Sequence, residues 1–132
     1  MDNSSAHEEQ EIRKTKRIGY VVIGIFAALA MLFLIWFGAY RYRHTFTAEK
    51  WQNDPGRRYD MTDDLLRDHA LVGMTEDEVV ALLGQNDNDR GYFNQDKRFV
   101  YCLGDVSFSI DRAWLLIDFE NGAVKGYSFT VD

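Results

Sequence analysis

The sequence predicts an α+β protein, in which one N-terminal transmembrane helix precedes a small domain of two helices packed on an antiparallel sheet of three or four strands. Three observations lead to this class. Residues 18–40 are apolar and uncharged. A helix-capping pattern begins at Thr75, and from Arg98 onward apolar and polar side chains alternate with the period of a strand.

The apolar segment runs from Ile18 to Tyr40 with the sequence IGYVVIGIFAALAMLFLIWFGAY. At about 1.5 Å per residue, a helix of this length is ~35 Å long and can cross a hydrocarbon core of ~30 Å. Basic residues and aromatic rings lie near both ends, as is typical of membrane interfaces. The membrane-spanning positions include Ile18, Gly24, Ala28, Trp36 and Tyr40. A buried core helix is the alternative, but a chain of 132 residues has too little mass to surround it.

A cleaved signal peptide is a second alternative for this segment. Its small-residue pattern, Ala28-Leu29-Ala30, is followed by further apolar residues, whereas a cleavage site should end an apolar core of ~7–15 residues. No cysteine lies near the end of the segment, which argues against lipid attachment there. We therefore expect an anchor that is retained.

The basic residues favour a cytoplasmic N-terminus. Four of them lie in 13–17, and three follow the apolar segment within fifteen positions. Arg57 and Arg58 would reverse this difference if they were counted, but the long acidic C-terminal part suits the far side of the membrane. We therefore expect a single-pass protein of the inner membrane with its C-terminal domain outside the cytoplasm. Gly24 and Ala28 form a small-xxx-small pair that is compatible with a homodimer.

The rest of the chain divides into a tail, a connector and one domain. Residues 1–17 are polar and charged, and we expect disorder there. Residues 41–53 form the connector and residues 54–132 the domain. Residues 45–132 contain nine Lys/Arg and seventeen Asp/Glu, a net charge of about −8, which repels nucleic acid. The lone cysteine, Cys102, permits no internal disulfide.

Two amphipathic helices are predicted at the start of the domain. Asp54 can cap the first, and Pro55 suits its first position because proline has no N–H to leave unpaired. This helix would extend to His69, with an apolar face of Met61, Leu65, Leu66 and His69 opposite the acidic Asp60, Asp63, Asp64 and Asp68. Thr75 and Glu78 form a capping box for the second helix, and Gly84 can end it in a left-handed conformation.

The strands follow from the period-two alternation. One strand covers Phe99 to Leu103, a second would contain Val106, Phe108 and Ile110, and residues 114–120 and 123–131 form two more. Asn121-Gly122 between the last two predicts a two-residue hairpin turn. That turn would place Phe119 opposite Val124, Asp118 opposite Lys125, and Leu116 opposite Tyr127.

This register divides the hairpin side chains between two faces of the sheet. The face covered by helices would carry Leu115, Ile117, Phe119 and Val124. The other face would carry Trp114, Leu116, Tyr127 and Phe129, with Asp118 and Lys125 as a cross-strand ion pair. An exposed aromatic patch of this kind is typical of a partner-binding surface. Alternatively, Phe46 and Trp51 of the connector fold back and cover it.

The sequence contains no catalytic or metal-binding motif. His7, His44 and His69 lack the spacing of metal ligands, and Cys102 alternates within a strand like a small core residue. The NDND run at 86–89 lacks the glycine and the terminal glutamate of an EF-hand loop. We therefore expect a non-enzymatic protein with no metal and no cofactor, whose partners are the lipid bilayer and another protein.

One part of the domain resembles a known family. Leu71-Val72-Gly73-Met74-Thr75, followed by Glu78-Val79 and Leu82-Leu83-Gly84, is similar to the GMT-x-x-x-V-x-x-LLG helix start of the SmpA/OmlA (BamE-like) family. The later run from Leu115 to Val124 is similar to the F-x-x-G-x-V hairpin of that family. The resemblance covers roughly residues 61–131. It implies two helices on one face of a three-stranded antiparallel sheet, a layout also called BLIP-like, in which the segment from Val106 to Ile110 is irregular.

Family members of known role are small envelope lipoproteins that act as scaffolds in outer-membrane protein assembly. This chain lacks their lipidated cysteine and has Gln85-Asn86 where LLG-x-P is usual. The resemblance implies an envelope scaffold that binds another membrane protein through the aromatic face of the sheet. The alternative is an inhibitor or immunity-type protein that blocks an enzyme or a toxin with the same face.

Overall fold

The computed structural model describes residues 3–87, 96–106 and 110–132. The helices are α1 (Asn3–His44), α2 (Ala48–Asn53), α3 (Arg58–Asp68) and α4 (Glu76–Leu83), with a 3-10 turn at Pro55–Arg57 before α3. The strands β1 (Arg98–Asp105), β2 (Arg112–Glu120) and β3 (Ala123–Val131) form one antiparallel sheet in the order β1-β2-β3. The predicted α+β class is confirmed.

The additional strand considered from Val106 to Ile110 is not formed by its described residues. Val106 and Ile110 lie outside the strands, and Phe108 falls outside the described residues. Val106 donates its N–H to the Asp111 carbonyl at 3.0 Å, a bond between the end of β1 and the start of β2. Among the described residues the sheet therefore has three strands, the number that the resemblance implies.

The chain divides into two units, Met1–Arg41 and Tyr42–Asp132. In the first unit, the apolar residues 18–40 are helical and exposed throughout, and by length and composition α1 could cross a membrane. A signal sequence would have the same properties. The rings of Trp36 and Tyr40 stack at 5.8 Å along this helix.

The N-terminal tail differs from the predicted disorder, because α1 begins at Asn3. Residues four or three apart form ion pairs along this segment, Arg13 with Glu9 at 3.8 Å and Lys14 with Glu11 at 3.6 Å. Such pairs stabilise a helix only slightly. Extending a helix is easier than nucleating one, however, and the adjoining apolar segment supplies the nucleus.

Most of the connector, residues 41–53, is helical. α1 continues to His44, and Thr47 caps α2 by accepting the Lys50 N–H at 3.2 Å. Lys50 in turn donates from Nζ to the carbonyls of Tyr42, at 2.8 Å, and Thr45. A cation near the last carbonyls of a helix is favourable, so Lys50 joins Tyr42 and Thr45 to the start of α2.

The two connector aromatics, Phe46 and Trp51, are buried, and their rings meet edge to face at 5.7 Å. They pack into the core under the helices and do not cover the opposite face of the sheet. Contacts with α3 explain this position, because Phe46 donates its N–H to Asp64 Oδ2 at 2.6 Å, and His44 Nδ1 lies 3.0 Å from the Asp60 carbonyl. The connector is therefore attached to α3.

The helix caps in the structure agree only in part with the predicted ones. The capping box of α4 is confirmed, since Thr75 N–H donates to Glu78 Oε2 at 2.8 Å and Glu78 N–H donates to Thr75 Oγ1 at 3.3 Å. Gly84 ends α4 with φ of 79°, although its ψ of −172° is extended and not left-handed helical. Asp54 makes no side-chain cap bond and pairs instead with Arg57 Nε at 3.4 Å.

The main core lies between the helices and one face of the sheet, which we call the helix face. It contains Phe46, Trp51, Met61, Leu65, Leu71, Val79, Leu83, Tyr101, Leu103, Ala113, Leu115, Ile117, Phe119 and Val124. A smaller cluster lies on the opposite, outer face of the sheet and contains Val100, Trp114 and Leu116, with Cys102 packed against it. Cys102 lies in β1 as predicted, but it is only partly buried and packs against the smaller cluster, not in the main core.

Candidate interaction surface

A β-bulge in β3 controls which side chains share a face. The turn at Asn121-Gly122 has positive φ at both residues and pairs Phe119 with Val124, as predicted. Asp118 then pairs with Gly126, so Lys125 is an extra residue in β3. From this point every residue of β3 is displaced by one position, which moves each side chain to the other face.

The bulge separates the four predicted partner-binding residues. Trp114 and Leu116 point to the outer face and are buried there. Tyr127 lies opposite Ile117, and Phe129 lies opposite Leu115, so both aromatic rings of β3 are on the helix face. The prediction of one aromatic patch made by all four residues is therefore wrong.

The predicted ion pair between Asp118 and Lys125 is also wrong, for the same reason. Asp118 accepts both Nε and Nη2 of Arg98 on β1, at 2.6 and 3.2 Å. Lys125 pairs with Glu120 at 3.4 Å, across the hairpin turn. The first ion pair joins β1 to β2, and the second joins β2 to β3 beside the turn, at a position different from the predicted one.

The backbone of β3 alternates between its partner strand and the free edge of the sheet. The Asp132 N–H donates to the Arg112 carbonyl at 3.2 Å, so the backbone of Asp132 faces β2. Because successive residues of an antiparallel strand alternate, Tyr127, Phe129 and Val131 direct their N–H and C=O groups away from β2. None of the described residues bonds to these groups. We call residues 127–131 the open edge.

Large apolar side chains stand along the open edge. The exposed fractions are 40% for Tyr127, 47% for Phe129 and 57% for Val131. The rings of Tyr127 and Phe129 lie 6.2 Å apart at 72°, an edge-to-face contact that holds them as one pair. Free backbone groups beside exposed aromatic rings are the features of a strand edge that accepts another chain.

Another segment of the chain already pairs with the first residues of β3, on the same side as the open edge. The Gly73 N–H donates to the Val124 carbonyl at 2.9 Å, and the Val124 N–H donates to the Met74 carbonyl at 2.8 Å. Thr75 forms a bridge with Ala123. The segment before α4 therefore pairs with β3 like a short strand as far as Val124, and it leaves the open edge uncovered.

An acidic residue, Asp132, directly follows the open edge. Lys125, the basic residue of β3, is paired with a glutamate. The open edge thus lies in an acidic environment, within residues 45–132 that carry a net charge of about −8.

A polar constellation surrounds Arg58, which is 4% exposed. Its Nε donates to the Trp51 carbonyl at 2.8 Å, and its Nη1 donates to Asp87 Oδ2 at 3.1 Å and to the Cys102 carbonyl at 3.2 Å. Asp87 Oδ2 also accepts the Cys102 N–H at 2.7 Å. These contacts join α2, α3, β1 and the segment after α4, which gives Arg58 a structural role.

Tyr101 lies beside this constellation and donates its hydroxyl to the Gly84 carbonyl at 2.9 Å. Burial raises the pKa of the Tyr101 phenol well above its ordinary value, and the positive charge of Arg58 opposes that shift. The phenol therefore stays protonated at neutral pH, where it acts as a hydrogen-bond donor.

The remaining candidates for chemistry are dispersed. His7 lies on α1, His44 contacts the Asp60 carbonyl, and His69 packs its ring 5.3 Å from Phe46. Within residues 3–87, 96–106 and 110–132, no three His, Cys, Asp or Glu side chains lie close enough to hold a metal ion. Of the NDND run, Asn88 and Asp89 lie outside the described residues.

No family model matches the chain, and no curated protein matches it. The features of the molecule that bear on function are therefore α1 and the open edge of β3.

Proposed function

We propose that this protein is a membrane-anchored, non-enzymatic interaction module, whose folded unit binds another protein along the open edge of β3. One observation carries the proposal: Tyr127, Phe129 and Val131 combine exposed apolar side chains with outward-facing backbone groups. Soluble proteins usually protect such an edge, because it invites pairing with other chains. An edge left open in this form favours a binding role.

The anchor in this proposal is the apolar part of α1, residues 18–40. The basic residues in 13–17 support a cytoplasmic N-terminus and a folded unit outside the cytoplasm, at the inner membrane. A helix with every residue of its apolar segment exposed has no protein core to occupy, and lipid would cover it. A retained anchor would confine the open edge to partners that reach the same membrane surface.

The role that we propose is that of an envelope scaffold similar to the BamE-like proteins. Two features support it: the capping box at Thr75 and Glu78, which belongs to the resembling segment, and a three-stranded antiparallel sheet with its helices on one face. The membrane helix in place of a lipid would make the inner membrane the place of action. A partner would then be another protein of that membrane or of the space beside it.

Site-specific photo-crosslinking in intact membranes tests this function. A benzophenone amino acid replaces Phe129 in the full-length chain, and a matched control replaces Tyr59 of α3, which is 48% exposed and therefore nearly as accessible. We expect a discrete protein adduct from position 129 and none from position 59. Equal labelling from both positions, or lipid adducts alone from position 129, would contradict the proposal.

A further inference from the structure

From the open edge we infer the kind of partner that binds, an inference that rests on the proposed function. We infer that the occupant is an extended segment of another protein, about five residues long, which adds to β3 as a fourth strand and carries Lys or Arg beside its apolar residues. Three properties of the open edge indicate this partner: its backbone groups, its side chains and its charge.

The backbone groups require a strand and not a helix. Tyr127, Phe129 and Val131 each present one N–H and one C=O to the same side, at the ~6.6 Å interval of alternate strand residues. A helix satisfies its own backbone groups and would leave these unpaired, whereas an added strand bonds to them directly. The pairing of Gly73 and Met74 with Val124 is the same interaction made within the chain.

The side chains define which residues the added strand must carry. Tyr127 and Phe129 offer an apolar surface on the helix face, so alternate residues of the incoming strand should be apolar. On the outer face, Ser128 and Thr130 lie opposite Leu116 and Trp114 and present small polar groups. The matching positions of the incoming strand should therefore be small and polar.

The charge selects a basic segment over a second copy of this chain. Asp132 directly follows the open edge, and it belongs to a folded unit that is acidic overall. Two copies paired through β3 would bring together two units of about −8 each, counted over residues 45–132, and they would repel each other. Lys or Arg beside the apolar residues of an incoming strand would instead be attracted to this acidic unit.

Peptide titration of the full-length chain in phosphatidylcholine nanodiscs tests the inference. The probe has the sequence KTVTVTVTK, and its controls are ETVTVTVTE, with the terminal charges reversed, and KTVTPTVTK, with proline at the centre. We expect the lysine peptide to bind at least tenfold more tightly than either control at low salt. Its advantage over the glutamate peptide should shrink as salt is added.

Amide hydrogen exchange gives the decisive readout. The amides of Tyr127, Phe129 and Val131 should exchange fast in the free chain and be protected by the lysine peptide, while those of Ser128 and Thr130, which face β2, should not change. Binding without this protection would show that the rings alone are recognised and would overturn the inference. Protection without any peptide, together with a dimer in the nanodisc, would assign the edge to a second copy and would also overturn it.

Two substitutions complete the test. Phe129→Pro removes an N–H that faces away from β2, so it deletes no bond of the sheet, and Phe129→Lys keeps the backbone but adds a charge that repels the lysine peptide. Each should weaken binding at least tenfold, while Tyr59→Ala should not. Unchanged affinity in the Phe129→Lys variant would overturn the inference. If the peptides fail while the Phe129 photo-crosslink persists, the proposed function stands and only the strand partner is wrong.

Discussion

Replacing Arg58 should destabilise the folded unit far more than replacing its exposed neighbour. Arg58→Ala removes a charged donor from two backbone carbonyls, those of Trp51 and Cys102, and each such bond contributes about 1.5–3 kcal/mol. Asp87 loses its partner as well, but its side chain is 40% exposed and keeps the Cys102 N–H, so its charge stays solvated. The free energy of unfolding should therefore fall by about 3–5 kcal/mol.

Urea unfolding of the full-length chain in detergent, followed by near-ultraviolet circular dichroism, measures this change. Arg57→Ala is the matched control, because its ion pair with Asp54 is exposed and should contribute less than ~1 kcal/mol. Arg58→Met fills the space but leaves the carbonyls unpaired, so it should recover only part of the loss. If Arg58→Ala costs no more than Arg57→Ala, Arg58 does not join the helices to the sheet and the structural role assigned to it is wrong.

Three further substitutions test a buried hydrogen bond, a close backbone contact and a helix cap. Tyr101→Phe should lower the free energy of unfolding by ~1 kcal/mol at neutral pH, because it removes the hydrogen bond to Gly84. Since burial raises the pKa of the folded phenol, the wild-type chain should lose stability above about pH 10, by at most ~1.4 kcal/mol per pH unit from this group. In a series of unfolding curves at increasing pH, the variant should lack that part of the slope. Gly104→Ala should lower the free energy of unfolding in urea by ~3 kcal/mol, because φ of Gly104 is +99° and the added Cβ would overlap the Gly56 carbonyl. Gly126→Ala is the control and should be nearly neutral, because a Cβ there meets nothing within 4 Å. Equal effects of the two substitutions would contradict this packing. Thr75→Ala should remove the capping box and cost ~1 kcal/mol, with faster amide exchange confined to the first turn of α4; exchange unchanged there would refute the cap.

The parts of the fold that local chemistry determines could be predicted from the sequence. The capping box at Thr75 and Glu78 needs only residues three positions apart, and the turn at Asn121-Gly122 needs only two residues that tolerate positive φ. The apolar segment 18–40 is helical for the same local reason. Each of these features is present in the structure as predicted.

The face of the sheet that carries Tyr127 and Phe129 could not be predicted by counting from the turn. A two-residue turn fixes the register only until the first bulge, and the extra Lys125 reverses the faces of everything that follows. The sequence did contain a signal, since Gly126 is an isolated glycine inside a strand pattern and such a glycine often marks a bulge. A bulge at this glycine would have predicted that Tyr127 and Trp114 lie on opposite faces of the sheet.

Long-range packing accounts for the other differences. Arg58 lies at helical spacing from the buried Met61 and Leu65, which places it on the apolar stripe of α3, but its acceptors come from distant parts of the chain. Phe46 and Trp51 likewise become core residues because α3 accepts the backbone of the connector and α2 turns a ring inward. No local pattern contains this information, because the contacts join segments far apart in sequence.

The attachment of the chain to a membrane through residues 18–40 is the claim on which the rest depends. Alkaline carbonate extraction of membranes that contain the native chain, combined with N-terminal sequencing of the recovered protein, tests it directly. We expect the protein to remain in the membrane pellet with residues 18–40 intact. Release into the supernatant, or a mature N-terminus beyond Tyr40, would show that α1 is not the anchor.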